Sequence, residues 1–144
     1  MNNDTNIKIL VVDDSLIMRR NIRKIFKELG HIVVGEATTG KDAIEMYKEY
    51  RPDVITMDIT MPDMNGIEAV ELIKDFSPDV KVIMMTAHGQ EDMVIQAIKA
   101  GAKAYILKPV TAIKIVSSID KLFNLKNVEE KTEEYKDIVD DFSM

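Results

Sequence analysis

Five short runs of aliphatic and β-branched residues recur along the chain, and they restrict its fold more than any other feature. They are Lys8–Val12, Ile32–Ala37, Val54–Met57, Val80–Met85 and Ala104–Leu107. Near-continuous apolar runs of this length suit strands buried on both faces, as in a parallel sheet. Ile32–Ala37 is the weakest, because Gly35 and Glu36 interrupt it.

After each run the apolar spacing becomes helical. Met18, Ile22, Ile25, Phe26 and Leu29 share one face of the first helical segment, with Arg19, Arg20, Arg23, Lys24 and Lys27 largely off it. Ala43, Ile44, Met46 and Tyr47 mark a second helix. Ile67, Val70, Leu72 and Ile73 give the apolar side of a third, over Glu68–Asp75. Met93, Val94, Ala97 and Ile98 face inward on a fourth, Glu91–Ala100. Ile113, Val116, Ile119, Leu122 and Phe123 do so on a fifth, from Ala112 to about Leu125. Gly30, Arg51-Pro52, Ser77-Pro78-Asp79 and Gly101 punctuate these helices. Thr38-Thr39-Gly40, the segment with Pro62 and Gly66, and His88-Gly89-Gln90 read as turns and loops.

Strands alternating with helices imply βαβ units. The expected class is α/β, a five-stranded parallel sheet with helices on both faces and right-handed crossovers. A chain of 144 residues fits one domain with a sizeable core. That domain spans residues 1–125. Residues 126–144 differ in composition: seven acidic and three basic side chains give net −4 of the chain's −6. Val128, Tyr135, Ile138, Val139 and Phe142 have the spacing of a thin apolar stripe on an acidic helix, the alternative being a disordered, solubilising tail.

The same composition removes several function classes. With no cysteine, disulfides, thiolate metal sites and Cys nucleophiles are excluded. His31 and His88 alone do not make a typical zinc site. A pI of about 5.0 argues against nucleic-acid binding, so the basic residues of the first helix read as a solvated face. No secretory leader pattern and no run of membrane-spanning length is present, which makes the expected location cytoplasmic, away from membranes.

In open α/β sheets, ligands bind outside the carboxyl ends of the strands. The first run ends on Asp13 and Asp14, the third on Asp58, the fourth on Thr86 and the fifth on Lys108-Pro109. The second ends on Thr38, Thr39 and Gly40. Three clustered carboxylates repel one another unless a cation joins them. A hard divalent ion such as Mg²⁺ takes oxygen ligands of this kind. Mg²⁺ with Lys108 would accommodate a dianionic phosphoryl group, and a carboxylate can attack phosphorus to give an acyl phosphate. Such transfer needs mainly positioning and charge neutralisation. Thr86 could hydrogen-bond a phosphoryl oxygen and so sense it. The residues alone leave open which of Asp13, Asp14 and Asp58 is the nucleophile.

Asp13-Asp14, Asp58, Thr86 and Lys108-Pro109, in this order and context, resemble the response-regulator receiver domain of two-component signalling over about residues 7–125. The resemblance implies the flavodoxin-like strand order 2-1-3-4-5, for which the chemotaxis regulator CheY is a known example. It implies that Asp58 is the phosphoacceptor, and that Asp13, Asp14, Asp58 and the main-chain carbonyl of Thr60 hold Mg²⁺. Thr86 and Lys108 would contact the phosphoryl group. Tyr105 would be the aromatic that changes rotamer with Thr86, and Lys108-Pro109 a cis peptide, a rare form even for proline.

The implied partners are a sensor histidine kinase, an output protein such as the flagellar motor switch, and a phosphatase. The output surface would be the fourth and fifth helices with the fifth strand. The protein would be a phosphoacceptor that assists its own phosphorylation and dephosphorylation, not an enzyme. Thr56–Pro62, Gly89–Ile95 and Ala97–Lys103 are similar to chemotaxis-type single-domain regulators. Val110 departs from their usual Phe, and Thr60 and His88 occupy positions that influence phosphoryl lifetime in the family. Met84 and Met85 are expected in the core, Met61 and Met64 on the surface.

Other readings are a receiver within a larger regulator or a non-chemotaxis phosphorelay, and an Asp-nucleophile phosphatase. Haloacid-dehalogenase-type enzymes usually carry a second Asp where Thr60 stands. A flavin or nucleotide binder would need a glycine-rich phosphate loop where Asp13-Asp14-Ser15 stands.

Overall fold

The computed structural model describes residues 6–123. Strands β1 (Lys8–Val12), β2 (Ile32–Ala37), β3 (Val54–Asp58), β4 (Val82–Thr86) and β5 (Ala104–Leu107) alternate with helices α1 (Leu16–Glu28), α2 (Gly40–Tyr50), α3 (Gly66–Phe76), α4 (Glu91–Ala100) and α5 (Ala112–Leu122). All strand pairs are parallel, in the order β2-β1-β3-β4-β5. The α/β sheet and the strand order are those expected.

Side-chain alternation along the strands feeds two cores. Leu10, Val12, Ile55, Met57, Val82 and Met84 face α2, α3 and α4, packing with Ala43, Val70, Ile73 and Ala97. Ile9, Val11, Val54, Ile83, Met85 and Ile106 face α1 and α5, packing with Ile22, Phe26, Ile115 and Ile119. Central strands β3 and β4 are buried along their whole length. Edge strand β2 is mostly half-buried, which explains its weaker apolar run.

Four helices start on a capping side chain. Ser15, Thr39, Asn65 and Thr111 accept hydrogen bonds from the backbone N–H groups of Met18, Asp42, Glu68 and Lys114. Thr39 and Asn65 as caps make Gly40 and Gly66 the first helical residues, not members of the preceding turns.

Several expected details are corrected. β4 begins at Val82, since the Val80 N–H closes a turn onto the Ser77 carbonyl at 3.0 Å. Leu72 and Ile98 are 46% and 44% exposed, while the small residues Ala69 and Ala97 occupy the buried positions. A helix seated close to a sheet favours small residues at its nearest approach, so the arc of apolar residues is wider than the contact. On α5, Ile115 is buried while Ile113 and Val116 are half-buried. Met61 is buried beside Ile59 and Ile67 in the core under α2–α4, not on the surface. Met84 and Met85 are core residues, as expected. The acidic segment 126–144 lies outside the described residues.

Thr56, in mid β3, has its hydroxyl buried with no hydrogen-bond partner among the described residues. An unpaired buried hydroxyl costs on the order of 1 kcal/mol or more. Thr56→Val, which keeps the shape and removes the hydroxyl, is expected to raise stability by about 1 kcal/mol, read as a higher urea midpoint at unchanged slope.

Candidate functional site

The carboxyl ends of β1, β3, β4 and β5 bring the predicted residues together. Asp13 follows β1 and is 1% exposed. Its N–H donates to the Ala37 carbonyl at 3.0 Å. Its Oδ1 accepts from the Ser15 N–H at 2.9 Å, and its carbonyl accepts from Arg19 Nη1 at 2.9 Å. Arg19 is itself braced by Glu36 at 3.0 Å. Asp14, next in the chain, is exposed. Asp58 is the last residue of β3 and is 6% exposed. Oxygens of Asp13, Asp14 and Asp58 lie within 4.8 Å of one another.

Lys108 enters from the loop after β5. Its Nζ stands 3.3 Å from Asp58 Oδ1 and 3.5 Å from Asp13 Oδ2. Two main-chain contacts set its position. Its own N–H donates to the Thr86 carbonyl at 2.7 Å, and its peptide bond to Pro109 is cis. Lys114 of α5 donates to the carbonyls of Leu107 at 2.8 Å and Pro109 at 3.1 Å, flanking Lys108 on both sides.

The charge balance of the cluster is negative. Burial pushes the Asp58 carboxyl up to about 6 from an ordinary 3.8; the Asp13 charge adds to this, and Lys108 and the Thr60 N–H offset only part of it. Three carboxylates facing one ammonium are a hard, oxygen-rich donor set with uncompensated charge, and that chemistry fits Mg²⁺.

Thr86 ends β4 and is 2% exposed. Its hydroxyl is directed to Gln90 Oε1 at 3.2 Å. Tyr105, on β5, is 52% exposed. A groove of about 330 Å³ runs between α4, β5 and α5, with Thr86, Val94, Tyr105 and Lys114 among its walls. Thr60 is exposed, and its hydroxyl accepts from Gln90 Nε2 at 2.8 Å. Thr38 and Thr39, at the end of edge strand β2, stay outside the acidic cluster, Thr39 serving as the α2 cap. His31 Nδ1 accepts from the Ile7 N–H at 3.2 Å, a structural use of that ring.

Three residues with a part in this architecture escape sequence reasoning. Gln90 links Thr60 to Thr86. Lys114 holds the carbonyls on either side of Lys108. Asp63 accepts from the N–H groups of Gly40 and Lys41, both at 3.0 Å, and so ties the loop after β3 to the start of α2. Partners separated by 23 and 30 positions leave no spacing signal. The bonds of Lys114 span only five and seven positions, but a lysine at that distance from a strand end is not distinctive. Among the described residues no helix is long and apolar enough to cross a membrane.

Comparison with known proteins agrees with this geometry. Residues 9–120 match the family model of the response regulator receiver domain. The chemotaxis protein CheY of Thermotoga maritima is 48% identical over 115 residues, covering 80% of this chain and 96% of that protein. The CheY of Bacillus subtilis is 48% identical over 117 residues, covering 81% and 98%. Among solved structures, a CheX–CheY complex with BeF₃ and Mg²⁺ from Borrelia burgdorferi has a chain that superposes with a TM-score of 0.78. That chain is 35% identical, with 85% of this chain and 95% of that one covered. The family match across nearly all described residues, with about half of the aligned positions identical to CheY proteins over their nearly full length, places this chain in the response regulator receiver domain family, among homologues of the chemotaxis protein CheY.

Proposed function

We propose that this receiver domain, a phosphorylation-dependent signalling protein by its homology to CheY, takes its phosphoryl group on Asp58 from a sensor histidine kinase in chemotaxis. The observation that carries the assignment is the position of Lys108, its ammonium directed to Asp58 Oδ1 within a cluster of three carboxylates. Asp13 already spends Oδ1 on the Ser15 N–H, and Asp14 is exposed. Asp13 and Asp58 are both buried and both face Lys108, but Asp58 is the nearer, at 3.3 Å against 3.5 Å, and its carboxyl carries the raised proton affinity.

An Asp58 oxygen attacks phosphorus, the new P–O bond forms and the P–N bond to the donor imidazole breaks. Lys108 neutralises charge on the transferring group. Mg²⁺, held by Asp13, Asp14, Asp58 and the Thr60 carbonyl, supplies further neutralisation when bound. Thr86 then turns its hydroxyl to a phosphoryl oxygen, and Tyr105 moves into the space beside α4. The α4–β5–α5 face thereby changes its affinity for an output protein such as the flagellar motor switch, a shift between populations of two states. The protein works in the cytoplasm as a phosphoacceptor that assists its own phosphorylation and dephosphorylation, and a phosphatase resets it. The BeF₃ and Mg²⁺ of the Borrelia complex support this reading.

Incubation with a small phosphodonor and Mg²⁺, followed by intact-mass measurement, is expected to show one added phosphoryl group in the wild type and none in Asp58→Asn. Retention of the added mass in Asp58→Asn would overturn the assignment.

A further inference from the structure

Gln90 closes a small hydrogen-bonded bridge across the mouth of the site. Its side-chain oxygen accepts from the Ala87 N–H at 2.8 Å and from the Thr86 hydroxyl at 3.2 Å. Its side-chain nitrogen donates to the Thr60 hydroxyl at 2.8 Å. The orientation of the amide is fixed chemically: a backbone N–H only donates, so the atom facing Ala87 must be the oxygen. Gln90 thus joins the hydroxyl at the end of β4 to Thr60 in the loop that follows Asp58, beyond the last main-chain bond between the two segments, from the Ile59 N–H to the Met85 carbonyl at 3.2 Å.

Gln90 stands at the N-cap of α4 but makes no side-chain cap bond there. Its polar atoms serve the site instead of the helix. The Thr86 hydroxyl has a single proton to donate, and of the two acceptors in reach Gln90 Oε1 at 3.2 Å is nearer than the Ala87 carbonyl at 3.4 Å. It cannot give that proton to Gln90 and to a phosphoryl oxygen at once.

We infer that Gln90 is a positioning residue that latches Thr86 in the resting state and competes with the phosphoryl group for its hydroxyl proton. The inference rests on the reading of Asp58 as phosphoacceptor and of Thr86 as the hydroxyl that reports it. Breaking the latch is part of the cost of switching, and it is borne before any contact with a partner. Removing the latch lowers that cost. Ala87 is exposed, so its N–H can bond water when Gln90 is absent, and the fold is spared.

The test measures binding of beryllofluoride with Mg²⁺, followed through the ¹⁹F signal of the bound species. Four proteins are compared: wild type, Gln90→Ala, Thr86→Ala and the double variant. Gln90→Ala is expected to bind about fivefold more tightly than wild type, the worth of one neutral hydrogen bond. In the Thr86→Ala background the same substitution is expected to change nothing, because the proton being competed for is gone. In the metal-free protein, the Ala87 amide is expected to exchange with solvent faster in Gln90→Ala than in wild type. Equal effects of Gln90→Ala in both backgrounds, or no effect in either, would overturn the latch. Asp58→Asn is the separate control: if it binds the mimic as wild type does, the phosphoacceptor reading fails, whatever Gln90 does.

Discussion

Gly66→Ala is expected to lower stability by about 3 kcal/mol and to slow phosphoryl uptake as well. Gly66 opens α3, and its N–H donates to the Ile59 carbonyl at 2.7 Å. A Cβ there would meet the main-chain oxygen of Asp58, with Met57 Cγ at 2.9 Å and Met84 Cε at 3.0 Å. The methionine side chains can turn aside, but the Asp58 carbonyl cannot move without moving the carboxylate that follows from the same backbone. Overpacking of a rigid contact usually costs 1–3 kcal/mol, and more when backbone must shift. Gly40→Ala is the matched control. It also opens a helix, yet the added Cβ would meet the Met64 side chain, an adaptable group. Its expected cost is about 1 kcal/mol, with uptake nearly unchanged. Equilibrium denaturation and the rate of mass gain from a phosphodonor check both halves. Equal losses in the two variants would show that Asp58 does not depend on the close approach of α3.

Asp58→Asn is expected to stabilise the metal-free protein at pH 7 by about 2 kcal/mol. The folded chain holds the Asp58 proton up to about pH 6, well above the ordinary 3.8, first because the group is buried and then because Asp13 is close. Between these values the folded state binds more protons than the unfolded state. Stability therefore falls as pH rises from about 4 to about 6 and stays lowered above that. Asparagine removes the charge while keeping an oxygen for Lys108. The gain from the substitution should vanish near pH 4, where the wild-type carboxyl is protonated. Mg²⁺ should reverse the ranking at pH 7, because a ligand held only by the folded state stabilises it by mass action. Thermal melts in chelator and in excess Mg²⁺, at pH 4 and pH 7, give the four values needed. An Asn variant that is less stable than wild type in chelator at pH 7 would mean that the cluster carries no net repulsion.

Much of the fold is legible because the strands are buried on both faces. Val54–Met57 can be apolar throughout only in a sheet covered on two sides, and β3 is indeed buried from end to end. Asp13, Asp58, Thr86 and Lys108 are legible for a related reason. A polar residue closing an apolar run marks a strand end, and parallel strands place all their ends on one edge. What the residues cannot report is distance between segments. Met61 sits in a loop, where a methionine is expected to face water, but the loop folds back and buries it. Gly66 looks like a turn residue, although its role is to let a helix start against the Asp58 carbonyl. Leu72 and Ile98 fall on the apolar arcs of their helices yet remain exposed, while Ala69 and Ala97 are fully buried. Gln90 is polar, lies in a loop and bonds to a residue 30 positions away, so only the folded chain shows what it does.

On the proposed reading, the bond from the Lys108 N–H to the Thr86 carbonyl limits how information can leave Asp58. Thr86 is clamped by its own main chain at the end of a central strand, so it has little freedom to translate. What remains is rotation about one side-chain torsion, and a β-branched residue has few wells to choose among. If Thr86 relays the signal as proposed, the signal is a choice between discrete dihedral states, with little room for a graded displacement. Such a device would give a two-valued output, with the main chain of β4 tied in place on both sides by β3 and β5.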